Sequence, residues 1–407
     1  MPLKTKYFYF IQSHLSLFVL AFGSLCFFLL NILLKEELTE VEYGTYSIFI
    51  TYISLLSSFG MLGFEQTLLR TSKIKLKLEI EKAIIVPSLL SILFVSGIGS
   101  YLMISNYDIK FGNYDMKFAI YVLFVLSILV IFIKLVFNLY RLRSKFTISQ
   151  ISLNFWKIGL FFIVGYYILF DIPIIYKDLF LIILILFSVS TILILGMLDK
   201  IVFKKNESIL DLIKKSSLFF LTLFTISLIS FGDRFFIESK FGLEVLGEYF
   251  FYITIFLFPF SLFQTYIGFK EIISFKRNFS KELLQEKLFL VSKYSLFFSI
   301  FLFFSIYLVE YIGLYDLKIT SNLKIIIPLI FLGNIKIIYS LFSSAIGAIA
   351  NDNMLKEINI QSIISIILIL PFLFIFDNDI SITIIFILTL WIIRCLIWYN
   401  QLKKYEN

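Results

Sequence analysis

The sequence contains one histidine and two cysteines in 407 residues. A single imidazole rules out sites that need several, such as a multi-histidine metal centre or an H-E-x-x-H helix. Cys26 and Cys395 match no metal or redox spacing and both fall inside apolar runs, where a thiol serves as a small packing group. Charged residues are also scarce, 16% of the chain against about 25% in soluble domains. A soluble chain of this length needs more polar surface than that. A cleavable leader is not expected, because the first apolar run, residues 15–34, is too long for the core of a signal peptide and has no small-residue cleavage site.

What the sequence does have is apolar length. Hydrophobic residues make up 60% of it, and they fall in runs of about 20, enough for a helix to cross a hydrocarbon core of roughly 30 Å. Backbone groups in lipid must pair internally, which leaves helices or a closed barrel. Unbroken runs lack the alternation of a barrel strand. Twelve spans are expected, near 11–34, 43–64, 83–105, 118–140, 146–170, 179–198, 216–237, 246–269, 288–309, 323–346, 358–376 and 381–400. With the N-terminus inside, the inner segments hold 23 lysines and arginines and the outer loops 8. By the positive-inside rule both termini are then cytoplasmic. The net charge of +8 thus comes from membrane-flanking loops and does not point to nucleic acid.

The chain also repeats itself. Gly44-Thr45-Tyr46 returns as Gly247-Glu248-Tyr249, and the stretch from Ile133-Lys134 to Tyr140 returns from Ile335-Lys336 to Phe342. The two offsets, 203 and 202 positions, are half the chain. Duplication and fusion would give residues 1–203 and 204–407 as two six-helix bundles, joined by a cytoplasmic linker at 203–217. Six spans is an even number, so both halves enter the membrane in the same sense. The expected fold is therefore an all-α polytopic membrane protein with about 12 transmembrane helices. They form two six-helix parallel repeats around a pseudo-twofold axis along the membrane normal, with a central cleft. Within the linker, 207–215 is amphipathic and suits the inner membrane surface. Residues 73–82 alternate charged and apolar side chains like a strand, but with no partner in view they read as a surface connector or a solvated basic loop.

Charges inside spans are costly and need a reason. Lys157 lies near the middle of the fifth span, on one helix face with Thr147, Gln150 and Asn154. That face lines either a wet cavity or an interhelical hydrogen-bond seam. Lys134 and Lys336 recur in the fourth and tenth spans; Lys134 is close enough to Arg141 to snorkel inward. Arg394 stands between Trp391 and Trp398, where interfacial anchoring competes with a binding role. Asp233 and Arg234 are adjacent near the outer end of the seventh span, and Asp233 suits carriage of a proton or cation, or simply marks the helix end. Glu65, after Gly60 and Gly63, is a second acidic candidate. Pro259, Pro328 and Pro371 inside spans, and Pro87 near the start of one, are possible hinges.

The pattern Gly44-Thr45-Tyr46, Leu62-Gly63-Phe64-Glu65, Arg70, Asp233-Arg234 and Gly247-Glu248-Tyr249 resembles bacterial polysaccharide-biosynthesis flippases of the Wzx type. These share the MOP exporter superfamily with MATE exporters and the lipid II flippase MurJ. The resemblance implies alternating-access translocation of an undecaprenyl-pyrophosphate-linked oligosaccharide across the bacterial inner membrane for surface polysaccharide such as O-antigen. Lys157, Lys336, Lys134, Arg234 and Arg394, with Asn154 and Gln150, would meet the anionic head. Asp233 and Glu65 would couple transport to a proton or sodium gradient. No cofactor, metal or catalytic residue is expected. The partners would be the lipid-linked substrate, membrane lipids and the polysaccharide polymerase machinery. A MATE-type multidrug, cation-coupled exporter is the alternative within the fold. A membrane-embedded sugar polymerase is the alternative from another class, its one sequence signal being the Asp377-Asn378-Asp379 triplet.

Overall fold

The computed structural model describes residues 3–71, 73–74, 78–107, 116–143, 145–196, 201–204, 208–313, 319–375 and 379–405. Among them the chain forms thirteen helices. They are α1 (Leu3–Glu37), α2 (Glu40–Phe59), α3 (Phe64–Thr71), α4 (Lys82–Asn106), α5 (Met116–Leu142), α6 (Phe146–Leu169) and α7 (Tyr176–Gly196), then α8 (Ile209–Tyr252), α9 (Phe258–Arg277), α10 (Lys281–Tyr311), α11 (Leu323–Ile349), α12 (Asp352–Ile375) and α13 (Ile380–Lys404). Eleven helical segments are long and apolar enough to cross a membrane. One of them, Ile209–Lys276, has 68 residues; as one straight helix it would be about 100 Å long, far more than a bilayer. It breaks at Gly242, where φ is 87° and ψ 175°, a conformation open to glycine and closed to most other residues. Counting both sides of that break restores the twelve expected spans. The protein is a multi-pass helical membrane protein.

Local chemistry sets the helix ends. Thr39 and Glu42 form a reciprocal capping box at the start of α2, which satisfies amide groups that would otherwise be bare at a membrane border. Between α8 and α9 the helix widens to a π turn at Ile253–Leu257, where the Phe258 amide bonds back to Ile253. Pro259 explains it. Its nitrogen cannot donate and its ring crowds the preceding turn, so the coil loosens just upstream. Pro87, Pro328 and Pro371 lie inside α4, α11 and α12.

One sequence expectation is overturned. Residues 73–82 have partners: β1 (Lys73–Ile74) pairs antiparallel with β2 (Leu78–Glu81), and β2 pairs in parallel with β3 (Ile201–Lys204). One partner, β1, lies within the same stretch; the other sits more than 120 residues downstream, after α7, where no local pattern could reveal it. The result is a small three-stranded sheet of order β1-β2-β3, added to an otherwise helical membrane fold.

The chain divides into two compact units, Met1–Ser227 and Leu228–Asn407. The division falls inside α8 and not in the linker at 203–217. The early part of α8 is held by the first unit in three ways. Leu212 packs with Leu68, Ile84 and Leu139. The Ser216 and Thr67 hydroxyls hydrogen-bond at 2.8 Å. Gly63, in a left-handed turn with φ 81° after Leu62, approaches so closely that a Cβ there would sit 2.3 Å from the Ser216 carbonyl oxygen. Within the first unit α1 runs along α6, and in the second α11 lies between α9 and α13.

Candidate functional site

In the first unit the polar stripe forms as its spacing predicts. Asn154 is buried in α6; its Nδ2 donates to the Gln150 carbonyl at 2.9 Å and to Gln150 Oε1 at 3.3 Å. Lys157 Nζ donates to Asn154 Oδ1 at 3.5 Å. Gly23 of α1 makes room, since a Cβ there would lie 2.5 Å from that of Asn154. The Lys157 ammonium stands 5.4 Å from the Phe27 ring and 5.9 Å from the Trp156 ring. Trp156 itself stacks on Phe187 at 5.2 Å and meets Phe27 edge-on at 5.6 Å. Aromatic faces thus supply part of the negative potential that a mid-membrane cation lacks.

Lys134 is half-buried in α5, its Nζ 5.0 Å from the Phe137 ring. It is within electrostatic reach of Glu65 and of Lys157. Glu65 is buried in the first turn of α3, immediately after the Leu62–Gly63 turn. The unit therefore sets two lysines against one carboxylate, and among the described residues neither lysine has a carboxylate at ion-pair distance.

The second unit holds its own cluster. Asp233 and Arg234 are both about nine-tenths buried on α8. Tyr249 donates its hydroxyl to Asp233 Oδ2 at 2.6 Å, while Asp233 Oδ1 accepts no hydrogen bond among the described residues. The Arg234 guanidinium lies 5.4 Å from the Phe231 ring and 5.1 Å from the Phe250 ring. Lys336 is within electrostatic reach of both Asp233 and Arg234, with its Nζ 5.1 Å from the Trp391 ring.

Arg394 is set differently. It is only 1% exposed, its Nε donates to the Tyr339 hydroxyl at 3.2 Å, and its guanidinium lies 5.5 Å from the rings of Tyr339 and Trp398. Tyr339 in turn meets Trp391 and Trp398 edge-on at 5.0 and 4.9 Å. This geometry makes Arg394 a clamp between α11 and α13, a packing role rather than an interfacial one. Of the acidic triplet, Asp377 and Asn378 lie outside the described residues. Asp379 caps α13 by accepting the Ser381 amide at 3.0 Å, so its carboxylate has a structural task.

The seven predicted binding residues thus fall into separate groups. Gln150, Asn154, Lys157 and Lys134 belong to the first unit with Glu65; Arg234 and Lys336 gather around Asp233 in the second; Arg394 sits in its aromatic clamp. The lysine echo is also looser than the sequence offset implies. Lys134 is the nineteenth residue of α5 and Lys336 the fourteenth of the equally long α11, a shift of about 7 Å along the helix. Sequence reasoning misses Tyr249 as the partner of Asp233, although the Gly-x-Tyr triplet singles that tyrosine out. It also misses the aromatic company of Lys134, Lys157, Arg234 and Lys336, having noted that of Arg394 alone. Trp391, Arg394 and Trp398 are spaced three and four apart on one helix face, but that spacing does not show that Trp391 also meets Lys336 from another helix.

No protein-family model matches the sequence, and no curated protein matches it either. Solved structures do. The chain is similar to a multidrug resistance MATE family transporter of the MOP superfamily in an outward-facing conformation. The TM-score is 0.61 at 12% identity, over 97% of this chain and 96% of that one. It is similar also to a MOP superfamily transporter from Pyrococcus furiosus, described as having a binding pocket of reversed polarity that suggests a different function. There the TM-score is 0.59 at 13% identity, over 97% and 94% of the two chains. The crystal structure of a mutant MATE protein gives 0.58 at 12% identity, over 97% and 94%. This chain therefore has the fold of the MOP superfamily transporters along nearly its whole length.

Proposed function

We propose that the protein is a membrane exporter working by alternating access, a transporter and not an enzyme. The observation that carries this is the end-to-end correspondence with MATE and other MOP transporters. The names of those neighbours, one of them a multidrug resistance MATE transporter, favour MATE-type export over the polysaccharide flippase, and we read that export as cation-coupled. In this reading Asp233 is the coupling group: a buried carboxylate with one oxygen held by Tyr249 and the other open to a proton or sodium ion. Glu65 is the acidic candidate in the first unit. The experiment is gradient-driven uptake of fluorescent organic cations into proteoliposomes. Transport that Asp233→Asn abolishes supports this reading, and no transport of any organic cation rejects it.

A specific observation favours a second reading. In the two clusters Lys134, Lys157, Arg234 and Lys336 outnumber Glu65 and Asp233, an excess of base that suits an anionic head group. One similar structure is itself described as having reversed pocket polarity, so the fold admits more than one charge preference. The substrate is then an undecaprenyl-pyrophosphate-linked oligosaccharide moved across the bacterial inner membrane, with both termini cytoplasmic and polymerase machinery downstream. Lys157→Gln is expected to abolish surface polysaccharide at unchanged protein level, and Lys157→Arg to be milder. Normal polysaccharide in the glutamine variant rejects this assignment.

A further inference from the structure

We propose that the first two turns of α8 form an interfacial docking surface for anionic lipid head groups on the basic side of the membrane. The region begins as a fixed helix. Ser208 accepts the Asp211 amide at 3.2 Å and donates its hydroxyl to Asp211 Oδ2 at 2.6 Å, so the end is capped. From there the chain runs without interruption into a membrane span.

Around this short barrel the side chains sort by angle, at 100° per residue. Leu212 and Ser216 share the side turned to the first unit, Leu212 fully buried with Leu68, Ile84 and Leu139, and Ser216 bonded to Thr67. The next arc holds Ile209, Leu210 and Ile213, which are 53%, 78% and 43% exposed. Lys214, also exposed, borders that arc, and Asp211 lies beyond it. The order around the axis is protein, apolar, cationic, polar. A helix lying between a bundle and a bilayer surface meets its surroundings in that order: apolar residues enter the acyl boundary, lysine reaches the phosphate level, and the acid stays in water.

Two features commit the occupant to lipid. The apolar arc is continuous with the membrane-spanning part of the same helix. The charge beside it is of the sign that anionic leaflets attract, and the sequence adds Lys204 and Lys205 just upstream. The sheet joins the bundle at the same border, since β2 passes directly into the span α4.

Single nitroxide labels on the full-length protein in nanodiscs test this. The buried Cys26 and Cys395 are replaced by alanine, and Ile209→Cys, Leu210→Cys, Asp211→Cys and Ile213→Cys are made one at a time. Labels at 209, 210 and 213 should collide more with oxygen than with a water-soluble nickel chelate, and the label at 211 should show the reverse. Adding phosphatidylglycerol to phosphatidylcholine discs should deepen the label at 210, and Lys214→Glu should erase that shift. Greater nickel than oxygen access at 210 overturns the proposal, and so does a depth that ignores phosphatidylglycerol.

Discussion

Single residues carry the sharpest tests. Tyr249→Phe keeps the ring and removes only the proton donated to Asp233. A buried carboxylate that loses a hydrogen bond costs about 1–3 kcal/mol, which thermal unfolding of the solubilised protein should report as a clear downward shift. Gly63→Ala should destabilise by a comparable amount, since a left-handed φ costs roughly 1–3 kcal/mol outside glycine and the new methyl would meet the Ser216 backbone. Asp379 offers a test by pH. Its carboxyl is held below the ordinary aspartate value by the Ser381 amide and hydroxyl. A depressed pKa stabilises the fold above the unfolded value of about 3.9, and this contribution fades as the pH falls through the lower, folded value. The acid sensitivity of Asp379→Ala should therefore be smaller than that of the wild type. At this scale the sequence is legible where helical spacing alone makes the contact. Gln150, Asn154 and Lys157 are three and four residues apart on a single helix, and they meet. Tyr249 and Asp233 are 16 apart with a glycine break between them, so their bond depends on a bend that spacing does not encode.

At the scale of elements, the anchoring of early α8 against α3 should show as coupling. In a double-mutant cycle, Thr67→Ala and Ser216→Ala are expected to interact by about 0.5–1.5 kcal/mol. Their effects would simply add if the two hydroxyls did not meet. The sheet can be probed covalently. Glu79 and Val202 are Cα partners in the parallel register, at the spacing of adjacent strands, about 4.8 Å, which lies within disulfide reach. Glu79→Cys with Val202→Cys should cross-link under mild oxidant, whereas Glu79→Cys with Ile201→Cys should do so less. Spans are readable because twenty apolar residues in a row permit little else, and Gly242 falls between the predicted seventh and eighth spans. The parallel half of the sheet is unreadable because alternation at 73–82 reports a strand's habit and not the address of its distant partner.

For the whole molecule, the arrangement in the membrane is open to direct measurement. Lys35→Cys and Lys177→Cys should react with an impermeant thiol reagent from outside intact cells, and Arg143→Cys and Lys145→Cys only after permeabilisation. Labelling of either pair from the opposite side rejects the orientation that the basic loops imply. Two sequence echoes at an offset of half the chain suggest a repeat, and yet the two halves are not equal. At the offset of 203, Asp233 and Arg234 of the second half correspond to Leu30 and Asn31 of the first. The paired acid and base on a leading helix is thus a property of one half alone, which a search for matching motifs passes over because it looks for sameness.

The helix α8 has one more consequence. Its first 19 residues belong to one compact unit and the remainder to the other, so the border near residue 203 expected from the sequence echoes and the border of the folded body disagree. A gene cut after residue 203 would give a first product whose Leu68, Ile84 and Leu139 had lost the leucine that covers them.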